Sequence, residues 1–425
     1  MTTDLAFPAL HRVHPRGWLN DPNGILRSAD GRWHVYFQFN PHSARHEKIH
    51  WGHMSSPDMV TWRQEPLGPV PRPGEADQDG CWSGVGLMDG DTPTLVYSGV
   101  DGTENQFSRV IVARTDPSAA ELIDPGRVVA EIPEVEGLIG VRDPFLFEHD
   151  GRRWAVQGAG VCEGDGFVAT LLLYDAEDLE DWRLVGTLLH GDDPAAQEHA
   201  PADLWECPQL VKVGERWVLL LSLWRHRENG DEGPVQVNHL VGDMITADDG
   251  TPRFIPTGGG RAELGPDFYA PQAVAEGGRA LLWGWAWEEA ERTQEQTDAQ
   301  GWAGTLTSPR VLRLHGDTLL MDPAPELAVL RGDPLEPRET GLQLPAPYRA
   351  EVRVTGPAHV VLRRVDGEEQ ELLAAQGPAT ILLDGGLLEV LEQESTAATR
   401  RFHPRSGDIV LVRGQVDAAW ELRRP

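Results

Sequence analysis

Apolar positions in this chain alternate with polar ones, or run on for five or six residues, and then break at a glycine. Sustained 3.6-residue periodicity is scarce, so the pattern predicts strands. One unit recurs: "DGRWHVYFQF" at Gly31, "DGDTPTLVYSG" at Gly90, "DGRRWAVQG" at Gly151, "GERWVLLLS" at Gly214 and "GGRALLWGW" at Gly278, at intervals of 59, 61, 63 and 64 residues. A glycine turn between apolar runs predicts a β-hairpin, and about sixty residues per copy suits a four-stranded sheet. Five such sheets around an axis make a β-propeller. A β-sandwich with fortuitous spacing is the alternative. The reading is all-β: a five-bladed propeller over residues 1–330, a linker over 331–347 marked by Pro334, Pro337, Pro345 and Pro347, and a small β-sandwich over 348–425, where "AEVRVTG" and "GDIVLVRG" alternate. "AEDLEDW" and "DAQGWAG" read as isolated helical turns.

Just upstream of the turns lie "NDPNGILRSADG", "CWSGVGLMDG", "RDPFLFEHDG", "ECPQLVKVGE" and "YAPQAVAEGG". Four of the five place proline near the start of a strand, where a missing N–H is tolerated. The pairs before those prolines are Asn20-Asp21, Arg142-Asp143, Glu206-Cys207 and Tyr269-Ala270. Equivalent positions in a radial repeat sit at equivalent places around the axis. Asp21, Asp143 and Glu206 are therefore expected to converge at one mouth of the central channel.

Composition narrows the partners. The formal charge is −30, from 37 Lys+Arg against 67 Asp+Glu, and the only lysines are Lys48 and Lys212. Such a surface repels phosphates and anionic lipid, which argues against nucleic acid and membranes and leaves a neutral small molecule. Cys81, Cys162 and Cys207 are too few for a disulfide framework. The opening residues lack a basic start followed by an apolar run, and no stretch is long enough to span a bilayer, so a cytoplasmic protein is expected. Tryptophan is abundant, 15 against 5 tyrosines; indoles stack on sugars, but they also pack cores.

Three carboxyls suit glycosidic hydrolysis by the retaining route, which needs an ionised nucleophile and a proton-bearing acid on the other side of the bond. Asp21 is expected to stay charged beside the Asn20 amide and the donors of the Asn23-Gly24 turn. Glu206, between Leu204-Trp205 and Cys207-Pro208, is expected to keep its proton and serve as acid/base. Asp143, next to Arg142, is expected to be permanently ionised and to grip sugar hydroxyls.

The same residues carry a resemblance. "WLNDPNG" (18–24), "YFQFNP" (36–41), "WGHMSSPDMVTW" (51–62), "WSG" (82–84), "RDP" (142–144), "WECP" (205–208), "DFYAPQ" (267–272) and "GWAG…SPR" (301–310) together resemble glycoside hydrolase family 32, the β-fructofuranosidases, in family order along essentially the whole chain. The resemblance implies a five-bladed propeller followed by a β-sandwich, cleavage of terminal fructofuranosyl bonds with retention, a small carbohydrate substrate, and no metal or other cofactor. It implies Asp21 as nucleophile, Asp143 as transition-state stabiliser and Glu206 as acid/base. Fructose contacts fall on Asn20, Gln38, Trp51, Ser83 and Arg142, with Trp82 where the family often has phenylalanine. Glu263 stands where many relatives have aspartate, and with Asp267 it is expected on the leaving-group side of the pocket. The C-terminal domain is shorter than usual for the family.

Sucrose or short fructo-oligosaccharides are the expected substrates. A fructosyltransferase and a levan or inulin exo-hydrolase share the same chemistry, and a sugar-binding module would lack one of the carboxyls. A rival of another class is "HEKIH" (46–50), which satisfies the HExxH zinc-protease pattern if it is helical; the alternative is a polar loop at a blade rim. No oligomeric state is assigned.

Overall fold

The computed structural model describes residues 4–424 except 103–105, 227–232, 291, 339–340 and 345. Pro345, one of the prolines expected in the linker, lies outside the described residues. The five glycine turns join first to second strands, each with a positive φ. Blade I contains β1 (Gly17–Arg27), β2 (Trp33–Asn40), β3 (His50–Ser56) and β4 (Arg63–Gln64); blade II contains β5 (Gly80–Asp89), β6 (Thr92–Val100), β7 (Arg109–Thr115) and β8 (Leu122–Ala130). Blade III contains β9 (Leu138–His149), β10 (Arg152–Glu163), β11 (Gly166–Asp175) and β12 (Arg183–His190); blade IV contains β13 (Leu204–Val213), β14 (Arg216–Arg225), β15 (Gly233–Thr246) and β16 (Pro252–Arg261). Blade V takes β17 (Tyr269–Glu276) and β18 (Arg279–Ala286), then an excursion through β19 (Trp302–Ala303) and β20 (Thr305–Leu306), then β21 (Arg310–His315) and β22 (Thr318–Pro323). β19 pairs in parallel with β1, Gly17 opposite Trp302, and so closes the ring. The fold is a five-bladed β-propeller followed by a β-sandwich-like domain.

The innermost strands β1, β5, β9, β13 and β17 approach one another without a backbone ladder between them. Side-chain amides make the connections instead: Gly84 N–H donates to Asn23 Oδ1 (3.2 Å), Ala273 N–H to Gln209 Oε1 (2.9 Å), and Ile25 N–H to Gln272 Oε1 (2.9 Å), while Gln272 Nε2 donates to the Gly84 carbonyl (2.5 Å). Buried backbone groups need such partners.

The second domain takes β23 (Arg331–Pro334), β24 (Leu342–Leu344), β25 (Ala350–Arg363), β26 (Glu369–Ala375), β27 (Ala379–Asp384), β28 (Leu387–Glu392), β29 (Ala398–Arg401) and β30 (Ile409–Leu422). The expected linker is thus only partly one: β23 and β24 both pair with β30. Pro334 ends β23 and Pro337 lies between the two short strands, so neither interrupts a ladder. Of the expected helical turns, "AEDLEDW" forms a single turn closed by Asp181 N–H on the Asp178 carbonyl (3.4 Å), and "DAQGWAG" enters the helix Gln294–Gln300, which ends at Gly301. A helix at Pro194–His199, capped by Asp193, was not anticipated. Among the described residues, no helix is long and apolar enough to cross a membrane.

The domains meet on a buried ion network. Arg310 in β21 is fully buried, with Nη1 2.8 Å from Glu263 and Nη2 2.7 Å from Glu389 and 2.6 Å from Thr399 Oγ1.

Blade I buries three histidines. His34 Nδ1 lies 2.9 Å from His53 Nε2, His53 stacks on Tyr36 at 3.9 Å, and His14 packs on Phe37 and Phe39 with no hydrogen-bond partner for either ring nitrogen. Burial lowers His14 to about 3 and His34 to about 4, and pushes His53 well below its ordinary value. His11 goes the other way: burial opposes it, but Asp384 and Glu389 raise it to about 9. A histidine neutral only in the folded state gives stability that is complete above pH 6.5. That stability is lost as the pH falls toward the folded-state value, at ~1.4 kcal/mol per pH unit per group. His14→Leu should therefore flatten the fall in urea-unfolding free energy between pH 6.5 and pH 4 by about one proton; parallel curves for the two proteins would contradict this.

Candidate functional site

Each innermost strand carries a register break at the same height. Between β1 and β2 it falls between Asn20 and Pro22, between β5 and β6 between Trp82 and Gly84, and between β13 and β14 between Glu206 and Gln209. In β9 it follows Arg142 and in β17 it follows Tyr269. These are β-bulges, which re-aim side chains and recur beside active sites. Three of the bulged residues are non-glycine with positive φ, Asp143 (+60°), Cys207 (+45°) and Ala270 (+43°), each before a proline. That backbone region is sparsely occupied and survives where the surroundings enforce it.

The bulges define two tiers around the axis. Asn20, Trp82, Arg142, Glu206 and Tyr269 are the last residues in register before the break; Asp21, Ser83, Asp143, Cys207 and Ala270 follow it. The expectation that Asp21, Asp143 and Glu206 occupy equivalent positions therefore needs correction. Glu206 is one residue earlier and belongs to the first tier with Arg142 and Tyr269. The three carboxyls nonetheless come together: Cys207 N–H donates to Asp143 Oδ2 (2.9 Å), Cys207 Sγ lies 3.5 Å from Asp143 Oδ2 and 3.8 Å from Asp21 Oδ2, and the Glu206 carboxylate is near enough for its charge to act on both aspartates.

Asp21 is gripped on both oxygens. Asn20 Nδ2 donates to Oδ1 (2.9 Å); Ser83 Oγ (2.6 Å) and Gln38 Nε2 (3.1 Å) donate to Oδ2. Trp18 Nε1 fixes Asn20 through Oδ1 (2.6 Å). Burial nevertheless pushes Asp21 up to about 6, against the Ser83 and Asn20 hydrogen bonds and with help from the Glu206 charge. The carboxyl is ionised at neutral pH, by a narrower margin than its sequence neighbours implied.

Arg142 does not pair with Asp143. Its Nε donates to Glu206 Oε1 (2.8 Å), and its Nη1 lies 3.1 Å from Gln106 Oε1. The setting of Glu206 is accordingly not the apolar one expected: Arg142 binds one oxygen and the Tyr269 hydroxyl lies 2.7 Å from the other. Asp143, like Asp21, is left without a paired cation among the described residues. Burial, then the Glu206 charge, raise it to about 7, with Arg142 opposing. Asp143 is thus not held firmly ionised as expected: burial outweighs Arg142, whose guanidinium turns to the next blade.

Trp51 is fully buried among Tyr36 and Tyr97 and donates Nε1–H to the Trp82 carbonyl (3.1 Å), so it supports Trp82 and does not face the pocket. Glu263 and Asp267 are also not where they were expected. Glu263 is bound to Arg310, and Asp267 Oδ2 accepts the Arg401 N–H (2.8 Å); both are buried at the domain interface. Spacing from the "FYA" motif could not reveal this, because their partners lie about 50 to 130 residues away.

The "HEKIH" segment is a loop with Lys48 at φ +46°, entering β3 at His50. His46 and His50 therefore share no helix face. Among the described residues no group of three His, Cys, Asp or Glu side chains suits a metal. His46 instead reaches the site: Nε2 lies 3.1 Å from Gln38 Oε1, and the ring sits edge-on between Trp18 and Trp82, at 6.0 and 5.8 Å. Its N–H fixes which end of the Gln38 amide faces Asp21. Sequence reasoning missed this residue, and Tyr269 as well, although Tyr269 is the blade V member of the tier that holds Arg142 and Glu206.

A carboxyl whose folded-state value is raised binds its proton more tightly when folded, so it costs stability as the pH rises from about 4 through that value. Asp143→Asn should raise the unfolding midpoint relative to the parent, and the gain should be larger at pH 8 than at pH 5. A gain independent of pH would contradict this.

Comparison with known proteins gives this architecture a family. Residues 11–323 match the model "Glycosyl hydrolases family 32 N-terminal domain". Curated relatives include a sucrose-6-phosphate hydrolase of Klebsiella pneumoniae, 34% identical over 80% of this chain and 74% of that one, and a raffinose invertase of Escherichia coli, 32% identical over 80% and 69%. A sucrose-6-phosphate hydrolase of Escherichia coli is 32% identical over 76% of this chain, which spans 66% of its length. Among solved structures, a Bombyx mori GH32 β-fructofuranosidase superposes with a TM-score of 0.80 at 23% identity, covering 99% of this chain and 94% of that one. The family model alone takes in every residue of the two tiers, and the chain belongs to glycoside hydrolase family 32.

Proposed function

We propose that this glycoside hydrolase is a retaining β-fructofuranosidase, acting on the terminal fructosyl unit of sucrose or a short fructo-oligosaccharide. The observation that carries the reading is the meeting of Asp21 and Asp143 at Cys207 with Glu206 beside them, hydrogen-bonded Asp21 in one tier and Glu206 in the other. Relatives named raffinose invertase and sucrose-6-phosphate hydrolase, and the β-fructofuranosidase structure, support the substrate class.

In this reading Glu206 gives its proton to the glycosidic oxygen while an Asp21 oxygen attacks the anomeric carbon, leaving a fructosyl ester on Asp21 and a free leaving sugar. Water then loses a proton to Glu206 and attacks the same carbon, which frees the Asp21 carboxylate. The Tyr269 hydroxyl suits both states of Glu206. It lies 2.7 Å from Oε2 and 3.0 Å from the Leu223 carbonyl oxygen. It donates to the carboxylate when Glu206 is ionised, and can turn to Leu223 and accept when Glu206 holds a proton. Asp143, whose carboxyl burial raises well above the usual range, accepts from sugar hydroxyls beside the reacting carbon when ionised and can donate to them when protonated.

A neutral sugar is favoured over a phosphorylated one. Arg45 and Lys48, the cations flanking the site in sequence, are paired with Asp298 and Asp79. Asp21→Asn should cut turnover of sucrose by about 10³-fold or more with folding intact. Glu206→Gln should slow sucrose far more than an activated aryl β-fructofuranoside, whose leaving group needs no proton; equal losses on both would contradict the acid role. A panel of sucrose, kestose, inulin, levan and sucrose 6-phosphate should give the highest kcat/KM on an unphosphorylated short substrate, with products at high sucrose separating hydrolysis from fructosyl transfer.

A further inference from the structure

We propose that Arg401, in the C-terminal domain, is a positioning residue for Glu206, holding from outside the propeller the two segments that fix Tyr269. The inference rests on the reading of Glu206 as the proton-transferring group.

The first segment is residues 263–268, which lead into β17 and Tyr269. It lies along residues 397–401 of the second domain like an added strand: Leu264 N–H donates to the Ala397 carbonyl (2.8 Å), Asp267 N–H to that of Thr399 (3.3 Å), and Arg401 N–H to Asp267 Oδ2 (2.8 Å). The approach is so close that a Cβ on Gly265 would stand 2.1 Å from the Thr399 oxygen. The second segment, residues 286–289, follows β18. The Arg401 guanidinium donates to the Ala286 carbonyl (3.3 Å) and lies 3.4 Å from Glu288 Oε1. His403 reaches Glu289 Oε1 (2.7 Å) and Glu288 Oε2 (3.3 Å). Burial opposes the charge on Glu288, but Arg401 and His403 hold its carboxyl low, at about 2.

Between these anchors stands Trp287. Its Nε1 donates to the Pro266 carbonyl (2.9 Å), tying one segment to the other, and its ring stacks on Tyr269 with centroids 5.1 Å apart and planes 19° from parallel. Tyr269 then meets Glu206. Arg401 thus touches both segments, through its backbone N–H on one and its guanidinium on the other, and is itself fully buried. A side chain that only fastened two domains would have no reason to bracket a tyrosine bound to a reactive carboxyl. The short C-terminal domain gains a part in the chemistry through this contact.

The test is a double-mutant cycle on the full chain. Arg401→Lys keeps the charge and removes the planar fork. The expected result is a fall of about 10-fold in kcat on sucrose with KM little changed, and a clearly smaller fall on an activated aryl β-fructofuranoside. In a Tyr269→Phe background, Arg401→Lys should add no further loss, since both act on one hydrogen bond. Ser308→Ala, which removes a hydroxyl bound to Glu389 elsewhere in the interface, should leave both rates unchanged. Should Arg401→Lys fail to fold, Glu288→Gln neutralises the carboxylate that Arg401 and His403 share while keeping the Arg401 backbone contact to Asp267, and should show the same selective loss on sucrose. Equal losses on the two substrates, or additivity with Tyr269→Phe, would overturn the inference while leaving the fructosidase reading intact. A wild-type protein inactive on every fructoside would overturn both.

Discussion

Five strands meeting around an axis cannot pair with one another, and the structure of this protein follows from how that shortage of backbone partners is met. Three amide side chains, Asn23, Gln209 and Gln272, bridge neighbouring inner strands, and a bulge in every inner strand turns one residue out of the ladder and into the channel. Proline follows the bulge in four blades, where no N–H is wanted. The side chains that face the channel are therefore by-products of closure: the residues freed from pairing are the ones available to a ligand.

The same geometry explains what was legible in the sequence. A repeat of about sixty residues announced the blades, and the prolines marked the level at which the strands break. Asp21, Asp143 and Glu206 could be picked out because each is a carboxyl just ahead of a proline at that level. Their electrical states could not. Arg142 adjoins Asp143 along the chain, yet a bulge separates the two residues, and the guanidinium crosses to Glu206. The one-residue offset of Glu206 was visible in "ECP" against "NDP" and "RDP", and its meaning required knowing where the register breaks. Glu263, Asp267 and His46 were misread for a common reason: each takes its role from a partner on another element, Arg310, Arg401 or Gln38.

Energetically the molecule holds two opposed arrangements. At the domain boundary, Arg310 is enclosed by Glu263 and Glu389, and such buried pairs specify one docking more than they stabilise it, since desolvation offsets much of the attraction. In the channel, three carboxyls share one arginine, and burial, with the Glu206 charge adding to it, raises Asp21 and Asp143 above their ordinary range. Placing unlike charges at the boundary and like charges at the centre gives a rigid frame around a strained interior, as expected where function sets the local electrostatics.

The closing strand extends this economy. β19 clasps β1 at Gly17 and Trp18, and Trp18 donates to Asn20, which donates to Asp21. The clasp that makes the ring a ring thus lies three residues from the carboxylate at its hub. An opening of the circle large enough to loosen the scaffold would also unseat that carboxylate, so in this enzyme mechanical integrity and chemical competence expire at the same seam.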